Sequence, residues 1–216
     1  MKTREIIPVR NVLINVDMQH DFIDGSLAVK GGEQIVDPIN QLSRAVRRSM
    51  GRVAFTRDWH PAVTPHFADY GGLWPVHCVA GTEGAEFHPD LEILPGDIII
   101  SKGMGQTDGY SGTEGISDDG QTLESLIDPQ GSAEQVNVYL DGIATEFCVK
   151  ETGIKSACRF ANDKNIAFYA IADAMRAVNL QPNDDAKALA EMQSVGIHII
   201  TLDEALRNID TSRLER

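Results

Sequence analysis

Six apolar runs rich in branched residues, separated by stretches of helical periodicity, restrict this chain to few architectures. The runs are "NVLINV" (11–16), "RVAFT" (52–56), "DIIIS" (97–101), "VNVYLDGI" (136–143), "IAFYAIA" (166–172) and "IHIIT" (197–201). Near-continuous apolar runs mark strands buried on both faces. Between them, Ile35, Ile39, Leu42 and Val46 recur at helical spacing up to Gly51. Segments 122–127, 145–161, 185–196 and 203–209 also read as helices. Strands alternating with helices imply a three-layer α/β/α fold with a mostly parallel, six-stranded open sheet.

With 216 residues and no linker, repeat or low-complexity stretch, residues 1–216 read as one domain. A net charge of −13 argues against nucleic acid or an anionic membrane as partner. The acidic residues are spread along the chain, as on a solvated surface. Cys78, Cys148 and Cys158 are odd in number and show no staple spacing, which suits a reducing compartment. The run at 11–16 contains Asn15 and ends at Asp17, so it makes no signal-peptide core, and no stretch is long and apolar enough to span a bilayer. The expected location is the cytoplasm. A homo-oligomer is left open.

Parallel sheets bind ligands beyond the C-terminal ends of their strands. The first run enters Asp17, the third enters Lys102, and Cys148 lies in the first turns of the helix after the fourth. A carboxylate, an ammonium and a thiol therefore arrive at one sheet edge. Singly, each has an ordinary reading: a cap, a solvated lysine, a core cysteine such as Cys158. Together they form a cysteine nucleophile, a cation that favours its thiolate and an acid–base partner.

The segment 57–96 is long, rich in Pro and Gly, and weakly periodic. Such segments in compact domains usually carry function. It opens with "TRDWHP" (56–61), where Asp58 and His60 point the same way in an extended chain. A carboxylate and an imidazole suit a borderline divalent metal, with His66 or His77 as the candidate third ligand. His88 and His198 read as structural.

Taken together, "DMQHDF" (17–22), "TRDWHP", "WPVHCVAGTEGAEFHP" (74–89), "KGMGQTDGYSGTEG" (102–115) and "DGIATEFCVKETGIKSA" (141–157) resemble the nicotinamidase/pyrazinamidase branch of the isochorismatase-like cysteine hydrolases. The matches run in order over most of the chain. The resemblance implies that Asp17, Lys102 and Cys148 form the catalytic triad and that Asp58, His60 and His77 bind the metal. His66 matches a position that ligates in some members. It also implies a non-proline cis bond at Ile143–Ala144 and an oxyanion hole built from the N–H groups of Ala144 and Cys148. Phe22, Trp74 and Tyr110 match the aromatic walls around a flat pyridine ring, with Ile143 and Ala144 beside it. The implied cofactor is one divalent metal ion, zinc ahead of iron or manganese. The implied reaction is hydrolysis of nicotinamide, and of pyrazinamide, to the acid and ammonia through a cysteine thioester, a step of NAD salvage. Met18, His20 and Thr113 depart from the commonest strings without touching triad or metal set.

Other readings fit less well. The metal set speaks against a hydrolase of the same superfamily acting on another amide, carbamoyl or ureido group, because several of those branches lack these ligands. An ether-cleaving isochorismatase has no use for Cys148. A nucleotide-binding module lacks G-x-G-x-x-G after the first strand and lacks a P-loop. A redox pair of Cys148 and Cys158 would sit nearly three helical turns apart.

Overall fold

A computed structural model describes residues 9–128 and 135–214. Residues 1–8, part of the N-terminal stretch expected to hold no signal-peptide core, lie outside the described residues. The strands are β1 (Val9–Val16), β2 (Arg52–Asp58), β3 (Ile98–Lys102), β4 (Gln135–Ile143), β5 (Ile166–Arg176) and β6 (His198–Ile200). The helices are α1 (His20–Ile23), α2 (Val36–Arg48), α3 (Leu123–Ile127), α4 (Lys150–Arg159), α5 (Asp184–Ser194) and α6 (Leu202–Leu214). The sheet order is β3-β2-β1-β4-β5-β6, and every pairing is parallel. The order reverses at β1, so a crevice opens between β1 and β4 at their C-terminal ends.

Alternation along each strand feeds two cores. From β1, Val12, Ile14 and Val16 pack with Leu123, Leu126, Val149 and Met192 on one face. Leu13 points the other way, among Ile39, Leu42 and Val46 of α2 and Ala205 and Ile209 of α6. The α2/α6 face also takes polar groups from the sheet. Asn11 Nδ2 donates to Ser49 Oγ at 2.9 Å and Asn15 Nδ2 to the Ala54 carbonyl at 3.2 Å. α3 starts with a capping box in which Thr122 and Ser125 bond each other's backbone N–H.

Two expectations need correction. The stretch 145–161 is not one α-helix. Thr145–Val149 forms a π-helical turn, and α4 follows from Lys150. The wider turn rotates the later residues by about 100° relative to an uninterrupted helix. The buried face is therefore Thr152, Gly153, Ser156 and Ala157, and Cys158, expected in the core, is exposed. The four-residue helix α1 has too short a pattern to be read from sequence.

The long segment 57–96 contains short 3₁₀ turns at Ala68–Tyr70 and Glu83–Ala85. Isolated bridges pin it: Gln19 to Phe87, His60 to Val79, and Phe67 to Trp74. The segment folds back over the C-terminal ends of β1 and β2.

Candidate active site

Asp58 ends β2 and Lys102 ends β3, and the ladder pairs them directly. Lys102 Nζ lies 2.5 Å from Asp58 Oδ1, 2.8 Å from Asp17 Oδ2 and 3.3 Å from Cys148 Sγ. All four residues are buried. The contact with Asp17 Oδ2 is an ion pair off the hydrogen-bond line, so that oxygen keeps no directed partner. Asp17 Oδ1 accepts from Thr56 Oγ1 at 2.6 Å. Asp17 has φ 51°, the left-handed region that aspartate tolerates better than most residues, so its side chain leaves the line of β1. Ligand atoms of Asp17, Asp58 and Cys148 lie within 4.8 Å of one another. Gly142 before the cis bond Ile143–Ala144 has φ 108°, and a Cβ there would meet the Val16 carbonyl oxygen at 2.1 Å. Only glycine lets β4 pass β1 so closely.

Burial and charge act against each other on these groups. Burial by itself pulls the Lys102 ammonium down, but Asp17, Asp58 and Cys148 outweigh it and hold it well above the usual lysine range. Burial pushes Asp58 up, and Lys102 and His60 outweigh it, so its carboxyl stays below the usual range. At Asp17 burial prevails over Lys102, and the carboxyl titrates above its ordinary value. Burial likewise raises the Cys148 thiol well above the usual range against the pull of Lys102. Burial thus favours the protonated forms of Asp17 and Cys148, while Lys102 favours the charged form of Asp58.

His60, His66 and His77 converge beside Asp58, with ligand atoms within 4.8 Å of one another. Each ring is oriented at Nδ1. His60 Nδ1 is 2.9 Å from the Gly103 carbonyl, His77 Nδ1 is 2.8 Å from the Pro75 carbonyl, and His66 Nδ1 is 2.8 Å from Asp108 Oδ1. These oxygens only accept, so Nδ1 carries the proton and Nε2 offers a lone pair. Burial lowers His77 to about 4 and also lowers His66, which disfavours the charged form of both rings. His60 Nε2 is fully buried, has no hydrogen-bond partner, and sits 3.6 Å from Asp58 Oδ2. A buried imidazole lone pair facing two further imidazoles and a carboxylate fits a divalent metal ion. Gly103, at φ 66°, leaves room for this set, because a Cβ there would meet His60 Cε1 at 2.5 Å.

Above Asp17, Lys102, Cys148 and the histidines lies a cleft. Its floor is Asp58, His66, His77, Ala144 and Cys148, and its walls include Phe22, Trp74, Tyr110 and Phe147. Trp74 Nε1 donates to Tyr110 Oη at 2.9 Å and meets Phe147 edge-on at 4.9 Å between centroids.

Residues 11–204 match the Isochorismatase domain. The chain belongs to the isochorismatase family. It is 34% identical to the nicotinamidase/pyrazinamidase of Mycobacterium tuberculosis over 192 residues, covering 87% of this chain and 97% of that one. Its fold superposes on the pyrazinamidase of Pyrococcus horikoshii in complex with zinc with a TM-score of 0.75 and 36% identity, over 89% of this chain and 99% of that one. PnC1 from L. infantum in complex with nicotinate aligns with a TM-score of 0.75 and 32% identity, over 91% and 94% of the two chains.

The geometry brings Asp17, Lys102 and Cys148 together, and groups His66 with His60 and His77 as closely as the other ligand candidates. Phe22, Trp74, Tyr110 and Ala144 line the cleft, whereas the Ile143 side chain packs in the α2/α6 core. Sequence reading missed several participants. Phe147 adjoins Cys148 in "TEFCV", and that adjacency was an available signal. Leu27, Val29 and Val178 complete the walls from distant segments. Gln19, fully buried, grips both backbone groups of Asp58: the Asp58 N–H donates to its Oε1, and its Nε2 donates to the Asp58 carbonyl, both at 2.8 Å.

Proposed function

We propose that this protein is a nicotinamidase that hydrolyses nicotinamide to nicotinate and ammonia, with pyrazinamide as a second substrate. One observation carries the reading: a single buried ammonium, Lys102, contacts Asp17, Cys148 and Asp58 at the floor of an aromatic cleft. Asp58, His60 and His77, joined by His66, would hold one divalent metal, with zinc the ion of the similar pyrazinamidase. When bound, the ion supplies a Lewis-acid site for the pyridine nitrogen and so orients the ring.

The reaction follows from the chain's own groups. Phe22, Trp74 and Tyr110 flank the ring and exclude water. Cys148 Sγ attacks the carboxamide carbon as its proton passes to Asp17. The N–H groups of Ala144 and Cys148 face the resulting oxyanion. Collapse breaks the C–N bond, and Asp17 returns the proton to the departing ammonia. A water then gives a proton to Asp17 and attacks the thioester, which releases nicotinate and restores the thiol. Lys102 keeps the charge of the site balanced throughout.

Ammonia release from nicotinamide by the purified protein tests the reading, beside Cys148→Ala and a chelator-treated sample. Release abolished by both treatments supports it. Absence of release from metal-loaded protein moves the substrate to another amide or ureido acid. Among the described residues no helix is long and apolar enough to cross a membrane. The free cysteines suit a reducing cytoplasm, where nicotinamide is the small-molecule partner.

A further inference from the structure

Glu146 sits two residues before Cys148, within the π-helical turn, and is buried. An acidic residue in a first turn commonly faces its own helix N-terminus. Here the turn begins at Ala144 without a side-chain cap, and the Glu146 carboxylate reaches across to another segment. The Asn179 N–H donates to Oε1 at 2.6 Å and the Val178 N–H donates to Oε2 at 3.3 Å. A buried carboxylate needs such donors, and two backbone N–H groups meet both oxygens.

Both ends of this clamp face the cleft. On one side the turn carries Phe147 and Cys148, and on the other Val178 forms part of the wall. The receiving loop is held from behind as well. Asn179 adopts φ 54° and its Oδ1 accepts from the Asp185 N–H at 3.0 Å, at the start of α5. The nucleophile's turn and the facing wall are thus tied through one side chain. Neither triad contacts nor metal-ligand contacts provide that link.

We propose that Glu146 is a positioning residue for the reaction: it fixes Cys148 Sγ relative to Lys102 and holds Val178 against the bound ring. The proposal rests on the amide-hydrolase reading, but its first readout does not. Iodoacetamide modification of Cys148, followed by peptide mapping to separate it from exposed Cys158, reports thiol placement whatever the substrate.

In Glu146→Gln the amide keeps the size of the side chain but turns an N–H₂ group toward an N–H donor. Cys148 alkylation slows and kcat for nicotinamide falls on the order of 10- to 100-fold, as expected for a nucleophile displaced by a fraction of an ångström. KM rises less than kcat falls, and metal content is unchanged, because no proposed ligand lies on this turn. Glu146→Asp, which keeps the carboxylate, recovers part of both rates. Asn179→Ala loosens the clamp from its other end and slows alkylation in the same direction, which provides a test should the Gln variant not fold. Alkylation and kcat within about twofold of the parent in folded variants would overturn the proposal. A drop in kcat with alkylation unchanged would overturn it too. Absence of nicotinamide turnover in the parent would fail the substrate reading alone and leave the alkylation comparison in force.

Discussion

Lys102 Nζ lies 2.5 Å from Asp58 Oδ1, so the ammonium that faces the thiol also holds a proposed metal-binding carboxylate. The contact follows from the ladder, since Asp58 and Lys102 are partners at the ends of neighbouring strands. Two carboxylates and one thiol share this cation. Lys102→Met leaves the carboxylates buried without it, which costs about 3–5 kcal/mol. Turnover falls at least about a thousandfold. Urea denaturation and steady-state kinetics on the variant measure both. A variant as stable and active as the parent would separate Lys102 from the site.

Cys148→Ala removes the proposed nucleophile and leaves the histidine cluster untouched. Turnover drops on the order of ten-thousandfold or more. Metal content, read by elemental analysis, stays at the parent level. Substantial residual ammonia release would rule out the thioester route.

The proposed metal ligands differ in depth. His60 is fully buried with its Nε2 unpartnered, so His60→Ala loses metal and weakens substrate binding. Asp108 orients His66 from an exposed loop position, its side chain 61% accessible. Asp108→Ala frees the His66 ring and lowers metal affinity by about tenfold, the low end for a partner of a ligating histidine. Competition with a chelating dye measures both. Equal affinity in Asp108→Ala would show that His66 needs no such orientation.

Asp141 on β4 pairs in register with Asn15, is fully buried, and has no hydrogen-bond partner on either carboxyl oxygen. Burial holds its pKa well above 3.8. The folded protein keeps this proton while the unfolded chain releases it above 3.8, so Asp141 makes stability fall as pH rises through that window. Asp141→Asn cannot ionise. It is expected to be more stable than the parent by about 1–3 kcal/mol near neutral pH, with the gap closing toward pH 4. Denaturant midpoints across pH check this, and a gap independent of pH would refute it.

The sheet was legible in the sequence because strands buried on both faces must be apolar throughout. The meeting of Asp17, Lys102 and Cys148 was legible because parallel strands bring their C-terminal ends to one edge, which places Asp17 and Lys102 there from the sequence alone. Asp58 and His60 could be paired because they are two apart in extended chain. Less of the site surroundings could be read. The exposure of Cys158 depended on a π-turn that no periodicity announces. The standing of His66 depended on how residues 57–96 fold back, which isolated bridges and the Asp108 contact decide. Gln19 on Asp58, Val178 in the cleft wall and the Glu146 clamp each join segments far apart in the chain. Local sequence determined which elements form and which reactive groups end them, because backbone preference and hydrophobic period act over a few residues. Tertiary structure alone decided which groups touch, because loop paths, buried hydrogen bonds and charge pairing depend on the whole packed chain.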